Sequence, residues 1–252
     1  MSTFPLSLDK YCLFLCIFFL SGCSSNFQTA IESAKLAFEH NKGTDITKEY
    51  IQALPYSSVI VTVNDAPPIL MILAFAEKNH YNNHYRLTWV SSDKGAIVTE
   101  NGRITHTSGL NSANLESLHN TENDLPWIGK EEQWSAVYDW SPGYRYNFPA
   151  TVKTSHIGKE TITTEIWESD TDYWSEAVYF DDLNYRLTNK FWVVPSDHTS
   201  KPRVVKSIQY IGPNMDKIEI LTMKHFTEPS PASELVRSSA TVHISRSMSE
   251  DS

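Results

Sequence analysis

Cysteine, glycine and basic residues are all scarce in this chain. Its 252 residues include three cysteines and nine glycines, and 21 lysines and arginines stand against 30 aspartates and glutamates. Because every cysteine lies within the first 23 residues, the rest of the chain has no disulfides and no thiolate metal sites. So little glycine argues against a propeller or a glycine-rich solenoid. The net charge of -9 disfavours nucleic acid as a partner, since phosphate binding requires clustered lysine and arginine.

The third cysteine ends a lipid-attachment motif. Cys23 closes the sequence Leu-Ser-Gly-Cys, and an apolar run at 11–20 precedes it. Such a run is too short for a permanent membrane helix and suits a secretory signal. Leu-Ser-Gly-Cys is the bacterial lipobox, so we expect 1–22 to be a lipoprotein signal peptide and Cys23 to be lipidated. The alternative is an ordinary signal peptide that ends near a cysteine by chance.

Lipidation at Cys23 predicts a globule that is tethered to a membrane. Several acyl chains on one residue, palmitate among them, anchor a protein firmly without a spanning helix. No later segment approaches the roughly 18 continuous apolar residues that a spanning helix needs. The next residue is Ser24, not the aspartate that commonly retains lipoproteins in the inner membrane. The predicted location is therefore the outer membrane, with the protein facing the periplasm and contacting the membrane through its lipid anchor.

From residue 56 onward the sequence has the short alternating patterns of β-strands. Asn101-Gly102 is the strongest hairpin signal, because both turn positions need a positive φ. Strands are predicted at 57–63, 69–78, 84–91, 96–100, 103–107, 133–140, 144–156, 160–168, 173–180, 186–194, 203–211 and 217–226. One of the predicted turns falls at 157–159, and 110–118 has the pattern of a short helix or a loop.

Helical spacing is limited to the start of the chain. Apolar residues recur every three or four positions at 27–38, which predicts a helix over 24–42 that packs on the sheet or lies on the membrane surface. A short helical turn is predicted at 45–53, with Asp45 as its cap.

These elements predict a mainly β protein with one N-terminal helix. Many strands joined by short loops need closure or a second sheet to protect their edges. We therefore predict a large, bent antiparallel sheet or an incomplete barrel or sandwich, forming a single domain over 23–227. Residues 228–252, rich in serine, are predicted to be a disordered tail.

The sequence predicts no catalytic residue, metal site or cofactor. His80 and His84 lack a nearby third metal ligand, and the acidic cluster at 168–172 lacks the glycine and spacing of a calcium loop. The carboxylate pairs at 131–132 and 181–182 are sequence neighbours, whereas a glycosidase needs two carboxylates that face each other. Nucleophile-elbow and phosphate-loop motifs are also missing.

Seven tryptophans offer surfaces on which sugar rings could stack. Large aromatic side chains mostly fill cores, which is the expectation for Trp89, Trp167 and Trp192 inside predicted strands. Trp127 and Trp140 lie near predicted loops. They are therefore the candidates for glycan contact.

Three groups of motifs carry a family resemblance. The first runs from LPYSS (54–58) through PPILMILA (67–74) to LTWVSSD (87–93), the second joins NGRI (101–104) to TSGL (107–110), and the third joins NKFWVV (189–194) to VVKSIQYIGP (204–213). With the lipobox, their order resembles the YjbF family of lipoproteins over nearly the whole mature chain. Residues 198–202 depart from the tighter glycine-containing turn that is usual in the family.

The resemblance implies an outer-membrane lipoprotein encoded among genes for exopolysaccharide or capsule export, with a β-rich fold. It brings no catalytic residues, so Cys23 is the one functional position that it carries over. The leading hypothesis is a non-enzymatic accessory factor in polysaccharide secretion, whose partners are glycan or other export proteins.

Two other functions stay open at this point. The first is a carrier of lipid or lipoprotein, which a concave apolar cavity beneath the helix at 27–38 would favour. The second is a periplasmic glycan hydrolase or lyase, which requires a cleft with two carboxylates about 5–10 Å apart.

Overall fold

The computed structural model describes residues 46–79, 84–122, 124–143, 145–196 and 201–228. Within these ranges the chain forms a short helix, α1 (Lys48–Ala53), a 3-10 turn (Asp181–Leu183) and one antiparallel sheet. The strands are β1 (Ser58–Val63), β2 (Ile69–Lys78), β3 (Tyr85–Val90), β4 (Ala96–Glu100), β5 (Arg103–Ser108), β6 (Asn114–Asn120), β7 (Glu132–Ser141), β8 (Arg145–Thr163), β9 (Glu168–Phe180), β10 (Tyr185–Val194), β11 (Arg203–Tyr210) and β12 (Lys217–Lys224).

The sheet consists of two meanders joined by the first and last strands. Its order is β5-β4-β3-β2-β1-β12-β11-β10-β9-β8-β7-β6, and every neighbouring pair is antiparallel. Because β1 pairs with β12, the outer edges are β5 and β6, which follow each other in the chain. Curling of the sheet brings these two edges together, so the structure is a nearly closed barrel. This confirms the predicted mainly β class and the incomplete barrel.

Side chains close the seam between β5 and β6. The Leu115 amide donates to Thr107 Oγ1 at 2.9 Å, and His106 Nδ1 lies 2.9 Å from the carbonyl oxygen of Glu116. At one end of the seam, Asn114 Oδ1 accepts a hydrogen bond from the Leu110 amide at 3.1 Å. An exposed strand edge presents unpaired backbone groups that invite pairing with another chain. Here side chains satisfy several of those groups within the same molecule.

Aromatic side chains fill the interior near β7 and β9. Trp140 is 2% exposed, and its ring lies 5.7 Å from those of Tyr138 and Phe180. Its indole Nε1 donates to the carbonyl oxygen of Ile211 at 2.6 Å. A Cβ on Gly212 would lie 2.6 Å from the same Nε1, so only glycine fits beside the indole.

Helix α1 packs beside the end of β12. Thr47 caps the helix, because its side chain accepts a hydrogen bond from the Tyr50 amide at 3.3 Å. Lys224 Nζ donates to the carbonyl oxygen of Leu54 just beyond the helix. The prediction of Asp45 as the cap is therefore wrong, and the helix predicted at 24–42 lies outside the described residues. Over the described part of the chain, no helix is sufficiently long and apolar to cross a membrane.

Strand predictions fail at two places. Residues 110–118 were predicted as a short helix or a loop, whereas β6 occupies Asn114–Asn120. The predicted turn at 157–159 lies inside β8, where a bulge between His156 and Gly158 absorbs it. The hairpin turn is therefore at 164–167, and β9 begins at Glu168.

Candidate functional site

A cavity of about 530 Å³ opens at one end of the barrel. It lies between the inner faces of β11 and β12 on one side and β3 with the β4–β5 turn on the other. Its size is within the range of about 300–1,000 Å³ that is typical of ligand pockets. The floor is apolar and consists of Val59, Leu87, Trp89, Val205 and Ile220.

Polar atoms in the floor are already bonded to neighbouring protein groups. Thr99 Oγ1 accepts a hydrogen bond from the indole of Trp89 at 3.0 Å. The Ser207 hydroxyl accepts one from Gln209 Nε2 at 2.9 Å. The floor therefore presents a mainly apolar surface to anything that enters.

Aromatic side chains surround the mouth of the cavity. Tyr85 and Phe226 lie in contact, with ring centroids 4.9 Å apart. The half-buried Trp127 packs edge-on against His84, with centroids 4.6 Å apart. Such rings combine apolar faces with a polar edge, which suits recognition of amphipathic ligands.

Three cations and one carboxylate line the rim. Lys201 pairs with Glu228 at 3.0 Å, and Lys206 pairs at 3.1 Å with Glu219, which lies outside the cavity. Arg203 is exposed at the same rim. Both lysines are thus paired with carboxylates, and Arg203 is the cation of this lining that forms no ion pair among the described residues.

The β4–β5 turn fixes the position of the mouth. Asn101 and Gly102 have φ angles of 49° and 82°, as the hairpin signal in the sequence predicts. A Cβ on Gly102 would lie 2.2 Å from Val204 Cγ2, so glycine is required for the turn to pack against β11. Asn101 Nδ2 lies 2.7 Å from His84 Nδ1 and donates to the Leu125 carbonyl oxygen at 2.8 Å.

A buried ion pair holds the loop that carries Trp127. Arg103 Nη2 lies 2.6 Å from Glu176 Oε2, and both side chains are 1% exposed. The same guanidinium donates to the carbonyl oxygen of Pro126, next to Trp127. Arg103 Nε donates to the same Glu176 oxygen at 2.8 Å, and Thr154 adds a third donor at 3.3 Å. The pair thus links β5, β9 and the β6–β7 loop through the interior of the barrel.

Most of this chain matches the model of a single protein family. A family model described as "Group 4 capsule polysaccharide lipoprotein gfcB, YjbF" matches residues 31–223. The chain belongs to the YjbF family. This confirms the resemblance seen in the sequence motifs.

Curated relatives and a solved structure agree with this assignment to the YjbF family. The uncharacterized lipoprotein GfcB of Escherichia coli K12 is 26% identical over 231 residues, 90% of this chain and 99% of the relative. The uncharacterized lipoprotein YjbF of the same organism is 24% identical over 224 residues, 86% of this chain and 98% of the relative. The crystal structure of the hypothetical lipoprotein YmcC from Escherichia coli K12 covers 82% of this chain and 100% of its own, with a TM-score of 0.64 and 24% identity. It shows that the fold is shared.

Three of the seven motif segments that resemble the YjbF family meet at the cavity. The motif at 87–93 supplies Leu87 and Trp89 to the floor, and the motif at 101–104 forms the β4–β5 turn. The motif at 204–213 supplies most of the opposite wall through β11. These three segments, far apart in sequence, therefore line the same cavity.

The two tryptophans predicted to contact glycan lie in different environments. Trp127 lines the cavity and is half-buried. Trp140 is a core residue, so its prediction as an exposed contact is wrong. The physical reason is that β7 continues to Ser141 and turns the indole inward against Phe180.

The acidic cluster at 168–172 bonds to threonine side chains of the same hairpin. In the β8–β9 hairpin, Thr161 donates to Asp170 at 2.7 Å and Thr163 donates to Glu168 at 2.9 Å. Among the described residues, no group of three histidine, cysteine or acidic side chains is arranged to hold a metal ion. Cys23 lies outside the described residues.

His225 is a half-buried titratable group at the cavity of this YjbF-family protein. Desolvation, with a smaller contribution from the Arg203 guanidinium, lowers the pKa of its imidazole to about 4. Burial also lowers the pKa of His84. Both histidines are therefore neutral at the mouth near pH 7.

The lowered pKa of His225 predicts an acid-sensitive fold. Below about pH 6.5 the unfolded chain binds a proton on this imidazole that the folded chain does not, so stability falls as the pH drops toward about 4. We expect His225 to account for about 1–2 kcal/mol of that loss, allowing for its partial exposure. Thermal unfolding between pH 7 and pH 4.5 should show a smaller decrease for His225→Gln than for the wild type.

His119→Gln is the matched control for this pH measurement, because His119 is exposed on β6. This variant should lose stability on acidification in parallel with the wild type. A His225→Gln curve that also runs parallel to the wild type would show that His225 is not responsible.

Proposed function

We propose that this protein is an outer-membrane lipoprotein, anchored through Cys23 and facing the periplasm, that serves as a non-enzymatic accessory factor in exopolysaccharide or capsule secretion. The observation that carries the proposal is the family match over residues 31–223, since that family is described by a capsule polysaccharide lipoprotein. The lipobox ending at Cys23 supports the anchor.

The character of the cavity supports a binding role. Its mouth offers aromatic rings and cations, which recognise ligands by stacking and charge. Among the described lining residues the carboxylate present is Glu228, and it pairs with Lys201. Glycoside hydrolysis uses two carboxylates placed across a cleft. The described lining therefore supports recognition of a ligand better than its cleavage.

Trp127 is the residue that we propose contacts glycan. Its ring is half-buried at the mouth, and the Arg103 and Asn101 side chains fix its loop by bonding the carbonyls of Pro126 and Leu125. A held aromatic face loses little conformational entropy when a sugar ring stacks on it. The proposed macromolecular partners are other proteins of the export apparatus.

The apolar floor favours a second role, the carriage of a lipid or a lipoprotein. Its support is the concave surface formed by Val59, Leu87 and Ile220. The sequence analysis expected such a cavity beneath residues 27–38, which lie outside the described part of the chain.

Deletion of the gene followed by complementation tests the proposed export role. Deletion is expected to reduce surface polysaccharide severalfold, and the wild-type gene should restore it. Cys23→Ala should yield protein that no longer fractionates with outer membranes and does not restore export, because the thiol that accepts the lipid is gone. The measurements are polysaccharide quantification and membrane fractionation.

Cys12→Ala is the matched control, since Cys12 lies inside the predicted signal peptide and outside the lipobox. It should restore export like the wild type. Unchanged polysaccharide after deletion would refute the export role, and membrane-bound Cys23→Ala protein would refute the anchor.

A further inference from the structure

The floor of the cavity suits a hydrocarbon ligand. Its polar side chains already bond one another, as Thr99 does with Trp89 and Ser207 with Gln209. A ligand that displaced water from this surface would gain from apolar contact and would find few free hydrogen-bonding groups. A cavity of about 150 Å³ holds one benzene molecule, so a cavity of 530 Å³ accommodates a considerably larger apolar group.

The rim adds a preference for negative charge. Lys201 and Lys206 have carboxylate partners, whereas none of the ion pairs formed by the described residues involves Arg203. Arg203 is exposed where the apolar wall meets solvent. A guanidinium in that position suits a carboxylate or phosphate group, which it can bind through two parallel hydrogen bonds.

We propose that the cavity binds one acyl chain of an anionic lipid, with the hydrocarbon on the apolar floor and the head group beside Arg203. This rests on the second role proposed above, the carriage of a lipid, and deepens it by naming the ligand class; it is independent of the export role in capsule secretion. The aromatic rings at the mouth, Tyr85, Phe226 and Trp127, then lie beside the junction of the acyl chain and the head group.

Photo-crosslinking with a palmitate analogue tests the proposal on the full chain. The lipidated protein is reconstituted in nanodiscs of phosphatidylcholine, and a palmitate analogue with a diazirine in its chain is added and irradiated. Crosslinked peptides are mapped by mass spectrometry. We expect saturable labelling concentrated in β3, β11 and β12, which line the cavity.

Two neighbouring residues of β3 provide a matched pair of variants. Leu87 faces the cavity, whereas Arg86 is exposed on the opposite face of the strand. Leu87→Trp should reduce labelling at least about tenfold, because the larger ring excludes several methylene groups. Arg86→Trp adds the same ring outside and should label like the wild type. Thr222→Phe, which blocks the cavity from β12, repeats the test if Leu87→Trp does not fold.

Charge at the rim is tested by varying the head group. Arg203→Gln should weaken labelling by the palmitate analogue about three- to fivefold and leave labelling by the corresponding uncharged alcohol unchanged. Arg186→Gln, at the far end of β10, is the control and should have no effect.

Three results would overturn the proposal. Labelling spread evenly over the surface would do so, as would equal labelling of Leu87→Trp and Arg86→Trp. Displacement of the palmitate analogue by a soluble capsular oligosaccharide, with no effect of Leu87→Trp, would show that the cavity is a sugar site instead. Loss of export on gene deletion is a separate measurement, so failure of this proposal is distinguishable from failure of the export role.

Discussion

Glu176→Leu is expected to lower the free energy of unfolding by about 3–5 kcal/mol. The substitution leaves the Arg103 guanidinium at 1% exposure with no counter-ion, and a buried charge without a partner is costly. The Arg103 side chain also stacks over Trp134 at 5.2 Å and bonds Pro126, so it cannot easily leave for solvent. Urea denaturation followed by tryptophan fluorescence measures the loss.

A double variant separates charge burial from packing. Arg103→Met combined with Glu176→Leu should recover most of the stability, since replacing a whole buried ion pair by apolar residues is often neutral. Glu219→Leu is the control for losing an ion pair, because Lys206 and Glu219 are partly exposed and their pair contributes at most about 1 kcal/mol. Equal losses for Glu176→Leu and Glu219→Leu would contradict the role assigned to the interior pair.

Trp140→Ala should destabilise the protein by about 3–5 kcal/mol. The indole is 2% exposed, contacts the rings of Tyr138, Phe148 and Phe180, and bonds the Ile211 carbonyl, so its removal leaves a large void. Thermal or urea unfolding gives the size of the effect.

Trp127→Ala is the contrasting variant. Because Trp127 is half-buried at the mouth, its truncation should cost about 1 kcal/mol or less and should reduce retention of capsular polysaccharide by the purified protein. A Trp140→Ala protein of wild-type stability would contradict its place in the core. Unchanged polysaccharide retention by Trp127→Ala would contradict its proposed contact with glycan.

Strands that are flanked by clear turn signals are predicted well from sequence. The bounds of β2 and β4 agree with the prediction at both ends, and the Asn101-Gly102 turn joins β4 to β5 as expected. Each strand contains a bulge, between Leu73 and Phe75 in β2 and between Val98 and Thr99 in β4, but the turn residues that flank the strands are local signals. Local sequence is therefore sufficient to define them.

In β6 and β8, where the prediction failed, a bulge coincides with a misleading local sequence pattern. In β6 the apolar residues Leu115 and Leu118 are three positions apart, which is a helical spacing, because a bulge between Leu115 and Ser117 shifts the register. In β8 the bulge between His156 and Gly158 puts a turn-like sequence inside a long strand. An extra residue in a strand imitates the pattern of another element.

The cavity could be predicted only in part. The aromatic residue at 127 was found from its place near a loop, but the same reasoning failed for Trp140, whose strand runs one residue beyond it. The Arg103–Glu176 pair joins positions 73 residues apart. Its effect on the free energy of unfolding depends on burial, which only the closed barrel creates. Interactions of this kind leave no local pattern in a sequence.

The central pairing of β1 with β12 determines which chain segments lie at the open end of the barrel. It brings the start of β1, the end of β12 and helix α1 to the same end, where the cavity opens. The described part of the chain, which begins at residue 46, therefore enters the barrel at its open end. If Cys23 carries the lipid that we propose, the tether joins the folded body at the same end as the cavity and not at the opposite end.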